Sequence, residues 1–263
     1  MTRCLGVVDH ILNVNGLSRS FGQMKAVDKV SLQVRRGSIT GLIGPNGAGK
    51  STLFNLMTGA LKPDAGTVHL DGCDVTGMPP NQLFALGLGR TFQIPRPFAR
   101  MSVLENVMLA PPGQIGETVA GPFLFRGRMH DEEQRIRDKA LDVLEFVTLG
   151  ALADHPAGQI SGGQMKLLEL ARVLMGDPKL ILLDEPAAGV NPVLTETLIG
   201  KIEELNRQGT TFVIIEHDMD FVMRHCDPVI ALAEGRVIFE GTSDEALANP
   251  VLLDAYLGAT ADE

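Results

Sequence analysis

Apolar residues recur along this chain with two different periods, and each period predicts a different kind of element. Residues 30–34 and 67–70 place an apolar side chain at every second position, which is typical of a strand with one buried face. Residues 180–183 are apolar throughout, which predicts a strand buried on both faces of a parallel sheet. Between residues 131 and 147 apolar residues recur at helical spacing with charges between them. We therefore expect sheets in both end regions of the chain and a mainly helical middle.

A glycine-rich segment joins a predicted strand to a predicted helix. Residues 38–43 read as a buried strand, and residues 51–57 as a helix that stops near Gly59. Between them the pattern G-x-x-x-x-G-K-[ST] is matched by Gly44, Pro45, Asn46, Gly47, Ala48, Gly49, Lys50, Ser51 and Thr52. In this pattern backbone N–H groups surround the phosphates, the lysine neutralises them and the serine hydroxyl binds Mg²⁺. The segment, called the glycine loop below, predicts binding of ATP or GTP.

Two adjacent carboxylates follow the apolar run at 180–183. Asp184 and Glu185 would lie at the carboxyl end of that strand, where open α/β sheets bind their ligands. We predict that Asp184 holds Mg²⁺, directly or through water, and that Glu185 accepts a proton from the attacking water or orients it. The alternative is a solvated acidic pair at a strand end, and the glycine loop makes it less favoured.

A second anion-binding segment is expected before the helical stretch at 165–175. It consists of Ser161, Gly162, Gly163 and Gln164, and is called the signature nest below. Exposed N–H groups, a hydroxyl donor and the positive end of a helix would meet there. One chain therefore carries two predicted phosphate sites.

In order and spacing, the glycine loop, the signature nest, the strand that ends in Asp184 and Glu185, and a later His217 resemble the nucleotide-binding subunit of an ABC transporter. The resemblance covers nearly the whole chain. In that family two cassettes face head to tail, and each ATP is held by the glycine loop of one and the signature nest of the other. The resemblance thus implies that the signature nest acts in trans, on the nucleotide of a second subunit.

The same resemblance implies an α/β fold: a P-loop NTPase core with a mainly parallel sheet, an N-terminal antiparallel β subdomain and a helical subdomain. It implies one nucleotide-binding domain over residues 1–263. Its parts would be a core lobe at about 11–92 and 177–241, a helical lobe at about 93–176 and a C-terminal tail at 242–263.

Further site residues are implied by the resemblance alone. Phe21 would stack on the adenine, although a phenylalanine here could also be an ordinary core residue. Gln93 would reach Mg²⁺ and the water and link the site to the membrane partner, and His217 would contact the γ-phosphate. Residues 187–192 would cross the dimer interface, with Asn191 where many cassettes have aspartate.

Part of the chain resembles the branch of cassettes that drives branched-chain amino acid import. This resemblance is carried by residues 90–98, 101–107 and 251–258. The implied partners are transmembrane permease subunits, a second ATPase subunit of the same or a paralogous sequence and, indirectly, a periplasmic or extracellular substrate-binding protein. Residues 94–101 would form part of the groove that receives a cytoplasmic helix of the permease. Uptake of urea or other amino acids, lipopolysaccharide export and a regulatory ATPase without a transport role remain alternatives.

The amino-acid composition disfavours some kinds of binding partner and location for this protein. The net charge is −9 and no block of lysine and arginine is present, which disfavours nucleic-acid binding through a basic surface. No apolar run approaches the ~18 residues of a membrane-spanning helix. We expect a peripheral protein on the cytoplasmic side of the inner membrane. Residues 111–127, rich in turn formers yet partly apolar, predict a loop that either contacts a membrane partner or lies against its own lobe.

Overall fold

The structure is a computed structural model that describes residues 9–91, 96–114, 126–249 and 252. In chain order the strands are β1 His10–Phe21, β2 Met24–Arg35, β3 Ile39–Ile43, β4 Ala65–Leu70, β5 Cys73–Asp74, β6 Leu88–Arg90, β7 Leu180–Asp184, β8 Thr211–Ile215, β9 Val229–Ala233 and β10 Arg236–Gly241. The helices are α1 Lys50–Met57, α2 Pro80–Ala85, α3 Val103–Met108, α4 Arg126–Phe146, α5 Gly162–Leu174, α6 Pro192–Arg207, α7 Met219–His225 and α8 Ser243–Leu247. Short 3₁₀ turns occupy Gly150–Leu152 and Ala157–Gln159.

These strands form two sheets of different kinds. The first is antiparallel, in the order β2-β1-β4-β5, and the second has the order β10-β9-β3-β8-β7-β6. In the second sheet every neighbouring pair is parallel except β10 and β9. The predicted fold class, a mainly parallel core with an N-terminal antiparallel subdomain, is confirmed. The lobe boundaries near residues 92 and 177 stay a prediction.

The central parallel sheet separates two hydrophobic cores. Phe212 and Ile214 of β8 face a core shared with α3, α4 and α5, whereas Val213 and Ile215 face a core that reaches α1 and the antiparallel sheet. Side chains alternate across a strand, so a strand buried on both faces must be apolar at every position. Residues 180–183 of β7 are apolar and buried, which confirms the prediction for them, and only the last residue of the strand, Asp184, is polar. Burying each such aliphatic side chain stabilises the fold by about 1.5–3 kcal/mol.

The helical middle is built as its periodicity predicts. In α4 the residues Ala140 and Leu144 are fully buried, and Ile136 and Val143 pack against the same core. Helix α3 begins at Ser102, whose hydroxyl oxygen accepts the N–H of Glu105 in a capping box. Among the residues that the structure describes, no helix has both the length and the apolar character needed to span a bilayer.

Candidate nucleotide site

Three neighbouring parallel strands bring the predicted chemistry to one edge of the central sheet. Strand β3 leads into the glycine loop, β7 ends in Asp184 and continues to Glu185, and β8 leads into His217. The carboxyl ends of adjacent parallel strands meet at the same edge. A cavity of about 460 Å³ lies there, and its lining includes Lys50, Ser51 and Glu185.

The glycine loop has the backbone that its sequence predicts. Gly44 and Gly49 have φ values of 147° and 98°, a region that favours glycine. A Cβ on Gly44 would lie 2.2 Å from the carbonyl oxygen of Leu232, and one on Gly49 would lie 2.3 Å from that of Ala26. Gly49 caps helix α1 without a side-chain hydrogen bond from any described residue, so the helix start is free to bind an anion through backbone N–H groups.

Lys50 lies under this loop as a buried cation. Its ammonium donates hydrogen bonds to the carbonyls of Gly44, at 2.6 Å, and Pro45, at 2.9 Å. Burial lowers the pKa of Lys50, and the carboxylates of Glu185 and Asp184 oppose that effect. The predicted phosphate-neutralising lysine is therefore within electrostatic reach of both predicted acidic residues.

Asp184 is buried and faces a cation that sequence reasoning did not single out. A guanidinium nitrogen of Arg90 lies 3.6 Å from Oδ2 of Asp184. Burial raises the pKa of Asp184, and Arg90 opposes this. Arg90 is itself held by Asn55 Oδ1 at 2.6 Å and Thr58 Oγ1 at 3.0 Å, both in or beside helix α1. The arginine thus ties the acidic strand end to the helix that follows the glycine loop.

Glu185 points toward the cavity from an unusual backbone. Its φ is 48°, in the left-handed region, and its side chain lines the cavity. Its N–H donates to the carbonyl of Ile215 at 3.0 Å, and its own carbonyl accepts a hydrogen bond from Lys166 at 3.1 Å. Nδ1 of His217 lies 4.0 Å from Oε1 of Glu185. The two predicted catalytic groups therefore meet at the sheet edge.

Glu216 is a buried carboxylate that the sequence analysis missed. It is 1% exposed, and its two oxygens accept the N–H groups of Ala187, at 3.0 Å, and His217, at 3.3 Å. Burial raises the pKa of Glu216, and these backbone donors oppose the rise. The sequence contains one signal that could have identified Glu216, because it is an acidic residue directly after an apolar strand. Glu216 fixes both the segment after Glu185 and the start of the His217 loop.

The signature nest lies at the start of helix α5, outside this cavity, and its binding of an anion stays a prediction. Ser161 caps helix α5: its hydroxyl oxygen accepts the N–H of Gln164, and the Gln164 side chain accepts the N–H of Ser161. A Cβ on Gly163 would lie 2.5 Å from Leu194, whereas one on Gly162 would meet no atom of the described chain within 4 Å. The described residues that line the cavity do not include the nest.

Two further predicted residues have different outcomes. Phe21 is 45% exposed at the tip of the β1–β2 hairpin, with the guanidinium of Arg19 5.3 Å from its ring centroid. The alternative of an ordinary core phenylalanine is therefore wrong, and adenine stacking stays a prediction. Gln93 lies outside the described residues.

Comparison with known proteins agrees with this architecture. Residues 27–188 match the family described as ABC transporter. The probable branched-chain amino acid transport ATP-binding protein LivG of Archaeoglobus fulgidus is 44% identical over 253 residues, which cover 96% of this chain and 97% of that protein. The crystal structure of the ADP conformation of an ATP-binding cassette of an ABC transporter has a TM-score of 0.81 at 40% identity, covering 95% of this chain and 100% of that one. A dimeric post-hydrolysis cassette bound to ADP and phosphate has a TM-score of 0.72 at 27% identity and covers 88% of this chain and 98% of its own.

Proposed function

This chain belongs to the ABC transporter family, and on that premise we propose that it hydrolyses ATP to power the import of branched-chain amino acids through a membrane permease. The observation that carries the ATPase assignment is the convergence of the glycine loop, Asp184, Glu185 and His217 on neighbouring strand ends. The cargo assignment is supported by the relative's name and by its coverage of nearly the whole chain.

The donors at the site fit a magnesium ion. The exposed hydroxyl of Ser51 and the carboxylate of Asp184 are hard oxygen ligands of the kind that Mg²⁺ prefers. We propose these two residues, with Gln93, as the ones that hold it. When bound, Mg²⁺ neutralises charge on the phosphate oxygens during transfer.

The protein's own groups then have separate roles. Lys50 and the backbone N–H groups of the glycine loop bind and orient the phosphates. Glu185 accepts a proton from the attacking water or orients it, and the exposed His217 contacts the γ-phosphate. Phe21 supplies a face for the adenine. Arg90 and Glu216 fix the two strand ends that carry these groups.

The test of this chemistry is Glu185→Gln, which keeps the shape of the side chain but removes its basicity. We expect turnover to fall by about 10²–10⁴-fold while Mg-ATP still binds. Phosphate release gives the turnover, and calorimetry gives the affinity. Because hydrolysis no longer separates the subunits, the variant should accumulate as an ATP-bound dimer in size-exclusion chromatography. Near wild-type phosphate release would show that another residue performs this step.

We propose that the signature nest completes the site of a second ATPase subunit, which is a copy of this chain or a paralogue. Within one chain the nest lies outside the cavity, and nothing in the described chain explains why residue 162 is a glycine. A phosphate approaching from another subunit requires such open space beside exposed N–H groups. The similar cassette bound to ADP and phosphate has a dimeric structure, which supports this proposal.

The permease is proposed to dock beside Phe98. This side chain is 55% exposed, yet its backbone is rigid, because the buried Asn106 accepts its N–H at 2.8 Å and donates to its carbonyl at 3.1 Å. An exposed aromatic on a fixed backbone is a typical interface anchor. A groove of about 330 Å³ nearby has an apolar wall that includes Met101 and Met108, and acidic residues that include Glu105. Such a groove suits an amphipathic helix with a basic edge.

Phe98→Asp tests this docking site. A carboxylate buried without a partner in an apolar contact is costly, so permease association and uptake by the assembled complex should be lost. Nucleotide binding by the isolated subunit should stay unchanged. Leu86→Asp is the control for an added surface carboxylate, because Leu86 is also an exposed apolar residue, at 45%, and lies at the C-terminal end of helix α2. Full uptake by the Phe98 variant in reconstituted vesicles would place the permease elsewhere.

The cargo and the location need a test of their own. We propose that the subunit is peripheral, on the cytoplasmic side of the inner membrane. In source cells that carry Glu185→Gln, uptake of labelled leucine should fall while uptake of labelled urea is unaffected. Loss of urea uptake alone would favour the related urea system. Unchanged uptake of both, with no membrane protein retained in a mild-detergent pull-down, would favour a regulatory ATPase.

A further inference from the structure

Glu185 holds a backbone conformation that a glutamate does not favour by itself. Its φ of 48° lies in the left-handed region, where a Cβ is crowded against the backbone. Such residues persist where surrounding contacts fix them, and they cluster at active sites. The question is therefore what holds the peptide units on both sides of Glu185.

Strand β8 holds one side. The N–H of Glu185 donates to the carbonyl of Ile215 at 3.0 Å, which continues the ladder between β7 and β8 by one residue. Glu216 then accepts the N–H of Ala187 at 3.0 Å, so the chain is fixed again two residues later. The carbonyl of Glu185 lies between these two anchors.

Lys166 holds that carbonyl. This lysine lies in helix α5, is 9% exposed, and its ammonium donates to the Glu185 oxygen at 3.1 Å. The same oxygen also accepts the N–H of Ala188 at 3.2 Å in the turn that follows, so Lys166 adds a side-chain donor to a backbone donor. Burial lowers the pKa of Lys166. This effect is opposed by four nearby carboxylates, those of Glu216, Asp184, Glu185 and Glu169. A buried cation surrounded by carboxylates is a strong hydrogen-bond donor to a carbonyl.

We propose that Lys166 is a positioning residue for ATP hydrolysis: by holding the Glu185 carbonyl it stabilises the left-handed backbone that directs the Glu185 carboxylate into the nucleotide cavity. The position of the carbonyl oxygen depends on both φ and ψ of Glu185, and a change in φ would move its Cβ and swing the carboxylate away from His217, which lies 4.0 Å from it. The inference rests on the proposed role of Glu185. Lys166 does not line the cavity, so it acts through Glu185 and not on the nucleotide.

The first experiment uses the full chain and compares Lys166→Met, which keeps the aliphatic stem, with Lys166→Arg, which keeps the charge and the donors. Misplacing a catalytic group by about 1 Å costs up to about 10²-fold, so we expect kcat of the methionine variant to fall by about 10–100-fold. KM for Mg-ATP should stay within about threefold, because phosphate binding is unaffected, and arginine should restore most of kcat.

Lys139→Met is the matched control. Lys139 also donates from its ammonium to a backbone carbonyl, that of Met175 at 3.2 Å, but away from the cavity. Its kcat should equal that of the wild type. If Lys166→Met fails to fold, Lys166→Leu, a second apolar variant without a donor, replaces it, and a wild-type kcat in a folded variant of either kind overturns the proposal.

A double-mutant cycle separates positioning from general damage. In a Glu185→Gln background, Lys166→Met should change the residual turnover of radiolabelled ATP by less than about twofold, because the group that it positions is already gone. Losses that multiply would show that Lys166 acts elsewhere and would overturn the proposal. If Glu185→Gln alone keeps its turnover, the proposed function of Glu185 fails instead, so the two failures are distinguishable.

Discussion

The glycine loop and the signature nest are both glycine-containing helix starts, but the protein treats their backbone N–H groups differently. Helix α1 begins at Gly49 without a capping side chain among the described residues, and its first turn opens into the cavity. Helix α5 begins at Ser161, where Ser161 and Gln164 satisfy each other's N–H groups. The glycine loop therefore has the features of an anion site within one chain, whereas the nest uses part of its donors in its own cap.

The structural reasons for glycine also differ between the two segments. A side chain on Gly49 would collide with the carbonyl of Ala26 in the same chain, and one on Gly163 would collide with Leu194. Gly162 has no such neighbour in the described chain. Packing inside one subunit thus accounts for Gly49 and Gly163, whereas the open space at Gly162 fits the approach of the second subunit proposed above.

Among the substitutions that compare the glycine loop with the signature nest, Ser161→Arg is expected to give the largest effect. It places bulk and an extra charge in the signature nest, and loss of a single transition-state donor costs about 10²–10³-fold in turnover. ATP affinity of the isolated subunit should stay near that of the wild type, because the nest lies outside the cavity. Phosphate release and calorimetry measure the two quantities separately. A matching loss of ATP affinity would show that the nest serves its own chain.

If the chain pairs with itself, mixing the Ser161→Arg protein with the Lys50→Ala protein gives a stricter test of a shared site. The mixed dimer has one composite site with both substitutions and one with neither. Partial phosphate release should therefore return at equal mixing, with mixed dimers verified by differently tagged chains. No recovery at any ratio, despite mixed dimers, would argue against a shared site.

Lys50→Ala should have the next largest effect, and that effect should be on the binding of Mg-ATP. The lysine can exchange its loop carbonyls, Gly44 and Pro45, for phosphate oxygens. Removing such charge-assisted hydrogen bonds costs about 1.5–3 kcal/mol, or roughly 10- to 150-fold in Mg-ATP affinity. Calorimetry that shows unchanged affinity would contradict the phosphate-loop assignment.

The parts of the site that sequence predicts well are those set by local spacing. The glycine loop, helix α1, the buried strand before Asp184 and the helix that follows the signature nest all depend on residues within a few positions of one another. Their geometry depends on short-range backbone rules and on one-dimensional periodicity. The structure accordingly confirms these elements.

The contacts that sequence reasoning missed join residues far apart along the chain. Arg90 meets Asp184, and Lys166 reaches the carbonyl of Glu185 from another element. Asn106 is a shorter-range case: it fixes the backbone of Phe98, eight residues earlier, from inside helix α3, yet nothing in its spacing distinguishes it from a surface asparagine. Such pairs depend on how helices pack onto the sheet, which periodicity alone does not specify.

Gly49→Ala and Gly162→Ala test the contrast between the two glycines. A non-glycine residue in the backbone of Gly49 costs about 1–3 kcal/mol before the clash with Ala26 is added. Urea unfolding should show at least that loss. Gly162→Ala should lose no stability and gain up to about 0.5–1 kcal/mol, since alanine favours helix. Its turnover should still fall, by about tenfold, if a second subunit's phosphate must approach there. A fully active Gly162 variant would remove this argument for a shared site.

The smallest expected effects come from two serine-to-alanine substitutions, which distinguish a helix-capping role of Ser161 from a role in catalysis. Ser161 and Ser102 form the same capping box, each with a partner three residues later, but only Ser161 belongs to the signature nest. Each serine-to-alanine substitution should lower the free energy of unfolding by about 1 kcal/mol, because one N–H of the first helical turn loses its acceptor. Urea denaturation measures this directly. Ser102→Ala should keep wild-type turnover, whereas Ser161→Ala should also lower phosphate release, because its hydroxyl hydrogen is free to donate to phosphate while its oxygen caps the helix. Equal turnover in both variants would mean that Ser161 serves only as a cap, leaving the N–H groups of the two glycines as the donors of the nest.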